Sequence, residues 1–117
     1  PYNFGKNCVC YPGTHDNMPV AGWLETASEF EVSFCKEYIN YKEGEDFTDA
    51  FIRAVLATSA NTAIIAMQDW LGGGKYTRMN TPSTSGGNWQ WRLLKGQASS
   101  ELAQRMRHHA KIYGRLR

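Results

Sequence analysis

The residues CVCYPGTHDN, at positions 8 to 17, combine an apolar run, a turn and a polar loop. Cys8 to Tyr11 has the length and composition of a buried strand, and Pro12-Gly13 is a turn signal. The polar side chains of His15, Asp16 and Asn17 follow at once. Side chains in this position either cap the next helix or belong to a functional site, and the residues alone leave both roles open.

A second stretch has the same organisation. Ala63 to Met67 (AIIAM) forms another short apolar run, and the polar residues Gln68 and Asp69 follow it. Short buried strands that alternate with helical patterns are typical of parallel β-α units in an α/β fold. In such folds the chemistry lies just beyond the carboxyl ends of the strands. Both polar segments are therefore candidate site residues.

Three helical patterns accompany these strands. The first repeats aromatic residues every four positions and gives one apolar face, at Phe30, Phe34 and Tyr38. The second has Asp46 as its N-cap and a predicted buried stripe of Phe47, Phe51, Ala54, Val55 and Thr58. The third starts near Ser99 or Ser100 and is expected to pack Leu102, Met106, Ala110 and Tyr113 inward. The chain is thus helix-rich, with two short parallel strands.

The length, charge and composition of the chain limit the classes of protein to which it can belong. At 117 residues the chain is one domain or a piece of a larger one, and a net charge of +2 does not demand a polyanionic partner. No apolar run approaches the roughly 20 residues needed to span a bilayer. Cys8, Cys10 and Cys35 are odd in number, which favours free thiols in a reducing compartment, and we expect a cytoplasmic protein.

The segment Asn88-Trp89-Gln90-Trp91-Arg92 follows a glycine-rich loop. Its tryptophans either cover a core or form flat surfaces on which a sugar ring stacks, with Asn88 and Arg92 bonding the hydroxyl groups. Composition does not separate these roles. The C-terminal helix is basic, and because the net charge of the chain is small we interpret it as a solvated outer helix and not as a nucleic-acid-binding one. The adjacent His108 and His109 point to different faces of this helix.

Three blocks in order, VCYPGTHDN with AGW, AIIAMQDW, and RMNTPSTSGGNWQWRLL, resemble the C-terminal end of the 4-α-glucanotransferases of glycoside hydrolase family 77. The similarity runs over nearly the whole chain. It implies that residues 1–117 are a C-terminal fragment of a catalytic (β/α)8 TIM barrel, namely its last two β-α units. Cys8 to Tyr11 would be the seventh strand, Ala63 to Met67 the eighth, and Ser99 to Arg115 the closing helix.

The same resemblance implies an activity and its residues. Such enzymes cut an α-1,4 bond in a maltooligosaccharide or starch donor and pass the glycosyl group to an acceptor sugar by a retaining mechanism. Asp16 would be the catalytic carboxylate that stabilises the transition state, and His15, Asn17, Asn88 and Trp89 would bind the sugar. No cofactor or metal is implied. The nucleophile and the acid/base would lie on earlier strands, so the isolated chain is expected to be inactive.

Two further expectations concern partners. Two parallel strands taken from a barrel leave unpaired edges and an apolar face, which predicts self-association of the isolated chain. The alternatives are a non-catalytic carbohydrate-binding module that uses Trp89 and Trp91, and a basic RNA-binding domain. The second alternative leaves the THDN and GNWQWR blocks unexplained, and we expect no nucleic-acid or membrane partner.

Overall fold

A computed structural model describes residues 1–116 and contains two parallel strands and five α-helices within that range. In chain order these elements are β1 (Val9–Cys10), α1 (Val20–Leu24), α2 (Glu29–Tyr38), α3 (Phe47–Leu56), β2 (Thr62–Ala63), α4 (Met67–Trp70) and α5 (Ser100–Ile112). A 3-10 turn at Lys75–Thr77 follows α4. In the part of the chain so described, no helix is long and apolar enough to cross a membrane.

The sheet is parallel, as the sequence predicts, and shorter than the sequence predicts. Val9 lies opposite Thr62, Cys10 lies opposite Ala63, and the amide of Ile64 donates to the carbonyl of Cys10 at 2.9 Å. Beyond that bond the chain turns at Pro12-Gly13, so the first strand no longer pairs with the second. The predicted strand over Ala63 to Met67 is therefore wrong at its end, because Met67 already begins α4.

Helix α3 is the centre of the core. The carboxylate of Asp46 accepts the amide N–H of Asp49 at 2.6 Å, which confirms the predicted N-cap. Phe47 and Val55 are buried as expected, and Ile52, which the predicted stripe omits, is the most deeply buried large side chain. The residues of α3 pack in two clusters, one with Cys10 and Ala60 and the other with Trp70.

Helix α2 exposes its aromatic face. A capping box between Ser28 and Glu31 starts the helix, yet none of its residues is buried. Phe30 is 79% exposed and Phe34 is 61% exposed, and their rings continue in a stacked row to Tyr38. The half-buried positions of α2 are Val32, Cys35 and Lys36, and Ile39, directly after the helix, is also half-buried. The aromatic repeat thus forms the apolar face that the sequence predicts, but this face stays exposed and lines an open cleft with Trp23 and Phe51.

Helix α5 closes the structure. Ser99 caps it, and Leu102, Met106 and Tyr113 contact the α3 core as predicted. The helix ends at Ile112, before the predicted end at Arg115, because Gly114 adopts a positive φ of 65°. The guanidinium of Arg115 then donates to the carbonyl oxygens of Leu56, Thr58 and Ala60, at 2.7, 2.9 and 3.1 Å. These bonds satisfy carbonyl groups left free at the end of α3.

A glycine allows α1 to contact the segment that follows α4. A Cβ atom on Gly22 would lie 2.8 Å from the backbone nitrogen of Lys75 and 2.8 Å from Cγ of Met18. Only a residue without a side chain permits this approach. The AGW sequence therefore brings α1 against the Lys75–Thr77 turn.

Candidate active site

A cavity of about 450 Å³ opens at the carboxyl ends of β1 and β2. The loop after β1 forms one wall, with residues 11 to 15 and 17 to 19, and Ile64, Ala66, Gln68 and Asp69 form the second wall. Met79 and Trp89, from the long loop before α5, complete the lining. Because parallel strands end at the same edge of a sheet, the two polar segments predicted from the sequence meet here.

The turn from Thr14 to Asn17 shapes the first wall. Oδ1 of Asn17 accepts the backbone N–H of Thr14 at 2.7 Å and its hydroxyl group at 3.0 Å. The amide of Asn17 in turn donates to the carbonyl of Thr14 at 3.0 Å. These bonds form a closed loop of the kind that asparagine side chains stabilise. Asn17 thus lines the cavity and also fixes the turn that presents His15 and Asp16.

The carboxylate of Asp16 is half-exposed and held from two sides. Its Oδ1 accepts the side-chain amide of Asn80 at 2.6 Å and lies 3.4 Å from Nε2 of His15. The side chains of His15 and Asp16 are 53% and 46% exposed, so both remain accessible to a ligand. Asp16 does not cap a helix, since Val20 begins α1 after Pro19, which provides no side-chain cap.

Trp89 places a flat aromatic surface beside this pair. Its ring lies 4.9 Å from the ring of His15, at an interplanar angle of 41°. Trp89 has a positive φ of 62°, which is uncommon for a residue with a side chain. Its amide donates to the carbonyl of Met79 at 2.7 Å, and this bond holds the backbone in that conformation. More than half of the side chain remains exposed.

Asn88 is half-buried and uses its side chain within the same loop. Its Oδ1 accepts the amide of Thr81 at 2.7 Å, and its nitrogen donates to the hydroxyl group of Thr84 at 2.9 Å. Arg92 has a similar place, because Nη1 donates to the carbonyls of Trp89 and Trp91 at 2.8 Å each. The structure therefore brings His15, Asn17 and Trp89 together in the lining of one cavity, and it places Asn88 in the supporting loop. Asp16 is not part of that lining, but its carboxylate contacts the imidazole of His15.

Two residues of the site, Arg78 and Asn80, were given no role from the sequence, whereas Asp69 was already a candidate. Arg78 and Asn80, in the RMN segment, contact the loop that contains Asp16. Asp69 is buried, and its Oδ1 accepts the amide of Val20 at 2.8 Å, which caps α1 from 49 residues away. Burial raises the pKa of Asp69 above its ordinary value, although the bond from Val20 opposes the rise. The sequence indicated Asp69 through its position directly after the second apolar run.

The arrangement suits a ligand that has hydroxyl groups and a flat apolar face. A half-exposed carboxylate and an imidazole provide hydrogen bonds, and the adjacent indole provides a stacking surface. Among residues 1–116, no three side chains of His, Cys, Asp or Glu are grouped closely enough to hold a metal ion. The three cysteines are free thiols, and Cys10 is buried beneath the sheet end.

Comparison with known proteins identifies the family. The family model described as 4-alpha-glucanotransferase matches residues 1–98. The chain belongs to the 4-alpha-glucanotransferase family. A 4-alpha-glucanotransferase of Clostridium butyricum is 44% identical over 116 residues, which cover 98% of this chain and 24% of the relative. A chloroplastic/amyloplastic 4-alpha-glucanotransferase of Arabidopsis thaliana is 40% identical over 119 residues, which cover 99% of this chain and 21% of the relative.

A solved structure agrees with the sequence relatives. An amylomaltase from Streptococcus agalactiae in complex with acarbose superposes with a TM-score of 0.94 at 34% identity, over 98% of this chain and 23% of that protein. The resemblance stated from the sequence to the 4-alpha-glucanotransferases is thereby confirmed. The chain spans about a quarter of the length of these relatives. Because the plant relative is named as a plastid protein, the cytoplasmic location stays a prediction.

Proposed function

We propose that this chain supplies the part of a 4-alpha-glucanotransferase that binds the sugar at the cleavage point and stabilises its transition state. The observation that carries the proposal is the position of Asp16. Its half-exposed carboxylate lies between the imidazole of His15 and the side-chain amide of Asn80. His15 lines the cavity, and the indole of Trp89 lies against its ring. The substrates would be maltooligosaccharide or starch chains that act as donor and acceptor.

In the proposed retaining mechanism, a nucleophile and an acid/base from other strands of the barrel form and cleave a covalent glycosyl intermediate. The positive charge that develops on the sugar ring in the transition state is stabilised by the carboxylate of Asp16. His15 hydrogen-bonds the hydroxyl groups of the same sugar, and Trp89 stacks on a ring. Asn17 contacts the sugar from the turn after β1. Asn88 also binds the sugar, from the loop that its own side chain stabilises.

The same proposal assigns the fold. The two β-α units would be the last two of a (β/α)8 barrel, with residues 1–117 forming one part of the catalytic domain. The open edges of the two-stranded sheet support this assignment, and so do three exposed apolar side chains at the ends of the strands. Val9 is 51% exposed, Tyr11 46% and Ile64 55%. Neighbouring barrel strands would cover these side chains in the whole enzyme.

Self-association of the isolated chain follows from that exposure. Apolar side chains and unpaired strand edges that lack their neighbours favour contact with a second copy. Sedimentation velocity over a hundredfold concentration range is the measurement, and we expect the mean mass to rise with concentration. A single monomeric species over the whole range would contradict this expectation.

The function is tested most directly in a chimera. The segment of the Clostridium butyricum enzyme that matches this chain, 24% of its length, is replaced by residues 1–117. Disproportionation of maltotriose is then measured in the chimera and in an Asp16→Asn variant. We expect transfer activity from the chimera and a loss of about 10²- to 10³-fold in the variant, as for other electrostatic groups that act in the transition state.

A matched control distinguishes loss of chemistry from loss of folding. Asp46→Asn changes a carboxylate in the same way at a helix N-cap, where asparagine caps as well as aspartate, and it should leave the transfer rate unchanged. A chimera that folds, binds maltotriose and never transfers would instead favour the carbohydrate-binding module. An Asp16→Asn variant with undiminished transfer would refute the role of Asp16.

A further inference from the structure

The segment from Arg78 to Asn80 is bonded directly to the His15-Asp16 backbone and side chain. Nη2 of Arg78 donates to the carbonyl of Asp16 at 2.7 Å, and the amide of Asn80 donates to the carbonyl of His15 at 3.0 Å. The side chain of Asn80 adds the bond to Oδ1 of Asp16. The two segments are 62 to 64 residues apart in the chain, so these bonds join the loops that follow the two strands.

Arg78 joins both loops through one side chain. While Nη2 bonds the carbonyl of Asp16, Nε donates to the carbonyl of Asn80 at 2.9 Å. The guanidinium is planar and rigid, so these two bonds fix the distance between the two carbonyl groups. Next to Asn80, the carbonyl of Met79 accepts a hydrogen bond from the amide of Trp89. One arginine therefore fixes the backbone on which both the carboxylate and the indole of the site depend.

We propose that Arg78 is a positioning residue, which acts on the reaction through the backbone of Asp16 and does not contact the sugar. The inference rests on the function proposed above for Asp16. Its physical basis is that an oriented carboxylate stabilises the transition state only when it is fixed before the sugar arrives. The half-buried guanidinium donates to the backbone carbonyls of Asp16 and Asn80. These bonds hold the two loops of the site together.

Charge and geometry make different predictions for substitutions. A lysine at position 78 keeps the positive charge near Asp16, but a single ammonium group cannot bond both carbonyls in the same fixed geometry. If only the charge matters, Arg78→Lys restores activity. If the bridge matters, Arg78→Lys resembles Arg78→Met.

Kinetics of the chimera give the first test. A displacement of about 1 Å in a catalytic group costs on the order of 100-fold in rate, so we expect kcat to fall by about 30- to 100-fold in Arg78→Met. Arg78→Lys should recover little of this loss. KM for maltotriose should change far less than kcat, because the group acts in the transition state. Recovery of kcat by Arg78→Lys would overturn the geometric role.

Arg115 provides a matched control. It also donates to backbone carbonyls, those of Leu56, Thr58 and Ala60, but at the end of α3 and not at the cavity. Arg115→Met should lower the melting temperature and leave kcat unchanged below that temperature. If Arg115→Met and Arg78→Met reduce kcat alike, Arg78 has only a general structural role and the proposal fails.

A structural measurement separates this inference from the proposed function. The ring of Trp89, at 4.9 Å, should shift the carbon-bound imidazole proton resonances of His15 in an NMR spectrum of the 117-residue chain. Arg78→Met should remove that shift, and Arg115→Met should not. Persistence of the shift in Arg78→Met would overturn the positioning role. Loss of the shift, together with a folded chimera that shows no transfer, would support the role of Arg78 and contradict the function proposed for the site.

Discussion

Substitution of Asp49 tests how α3 and α5 are held together. Oδ1 of Asp49 lies 2.8 Å from Nε2 of His109, and Oδ2 accepts Nη1 of Arg53 at 2.7 Å. Arg53 also pairs with Glu45, so the carboxylate joins α5 to the start of α3. The side chains of Asp49 and His109 are only 17% and 9% exposed, which limits screening by solvent.

The magnitude follows from these two bonds. A hydrogen bond to a charged group contributes about 1.5–3 kcal/mol, and asparagine can keep one neutral bond of the two. We therefore expect Asp49→Asn to lower the free energy of unfolding by about 2–3 kcal/mol near pH 7. The pH dependence has a definite sign. Burial raises the pKa of Asp49, but the bonds and charges of His109 and Arg53 outweigh burial and lower it below its ordinary value.

A lowered pKa means that this stability is present above the unfolded-state pKa and is lost as the pH falls through the folded-state pKa. The difference between wild type and Asp49→Asn should therefore be full at neutral pH, begin to decline near pH 4, and disappear only below the lowered folded-state pKa. Urea unfolding of the chain at several pH values measures it. Glu43→Gln, at an exposed loop residue, removes the same charge as a control. Equal stability of wild type and Asp49→Asn at pH 7 would refute the reasoning.

Three further substitutions test the packing. Gly22→Ala should destabilise the chain by about 1–2 kcal/mol in spite of its better helix propensity, because the new methyl group must displace the Lys75 backbone, and thermal unfolding measures the loss. Ile52→Ala should cost about 2–5 kcal/mol at this fully buried position; a cost below 1 kcal/mol in urea unfolding would contradict the packing of α3. Asp69 has a raised pKa, so its wild-type stability should decline as the pH rises through that pKa, whereas Asp69→Asn, which keeps an acceptor for Val20, should show no such decline. Parallel pH profiles for these two proteins in urea unfolding would contradict the assignment.

Local patterns in the sequence predict much of the architecture. The N-caps at Asp46 and Ser99 and the apolar face of α5 depend on residues close together in the chain, and the structure confirms them. The rule that parallel strands end at one edge also places the loop of His15 and Asp16 at a cavity, which His15 lines. These features follow from spacing and turn chemistry alone.

Other features depend on contacts that no local pattern contains. The ends of the strands are set by where the partner strand turns away, so the predicted strand over Ala63 to Met67 is too long. The orientation of α2 depends on what surrounds it, and its aromatic repeat therefore indicates an apolar face without showing what covers it. The bonds of Arg78 and Asn80 to Asp16 join segments more than 60 residues apart, at positions where the sequence shows only a loop.

The central claim is that the cavity lined by His15 and Trp89, next to Asp16, binds an α-1,4-linked glucan. An amide and indole NMR spectrum of the chain, titrated with maltotriose and separately with cellotriose as a β-linked control, tests it directly. We predict that maltotriose shifts the Trp89 indole signal and the amides of residues 14 to 17, and that cellotriose does so far less. Unchanged signals at these residues would contradict the account. So would shifts confined to Trp23, which lies in α1 and lines a different cleft, next to α2.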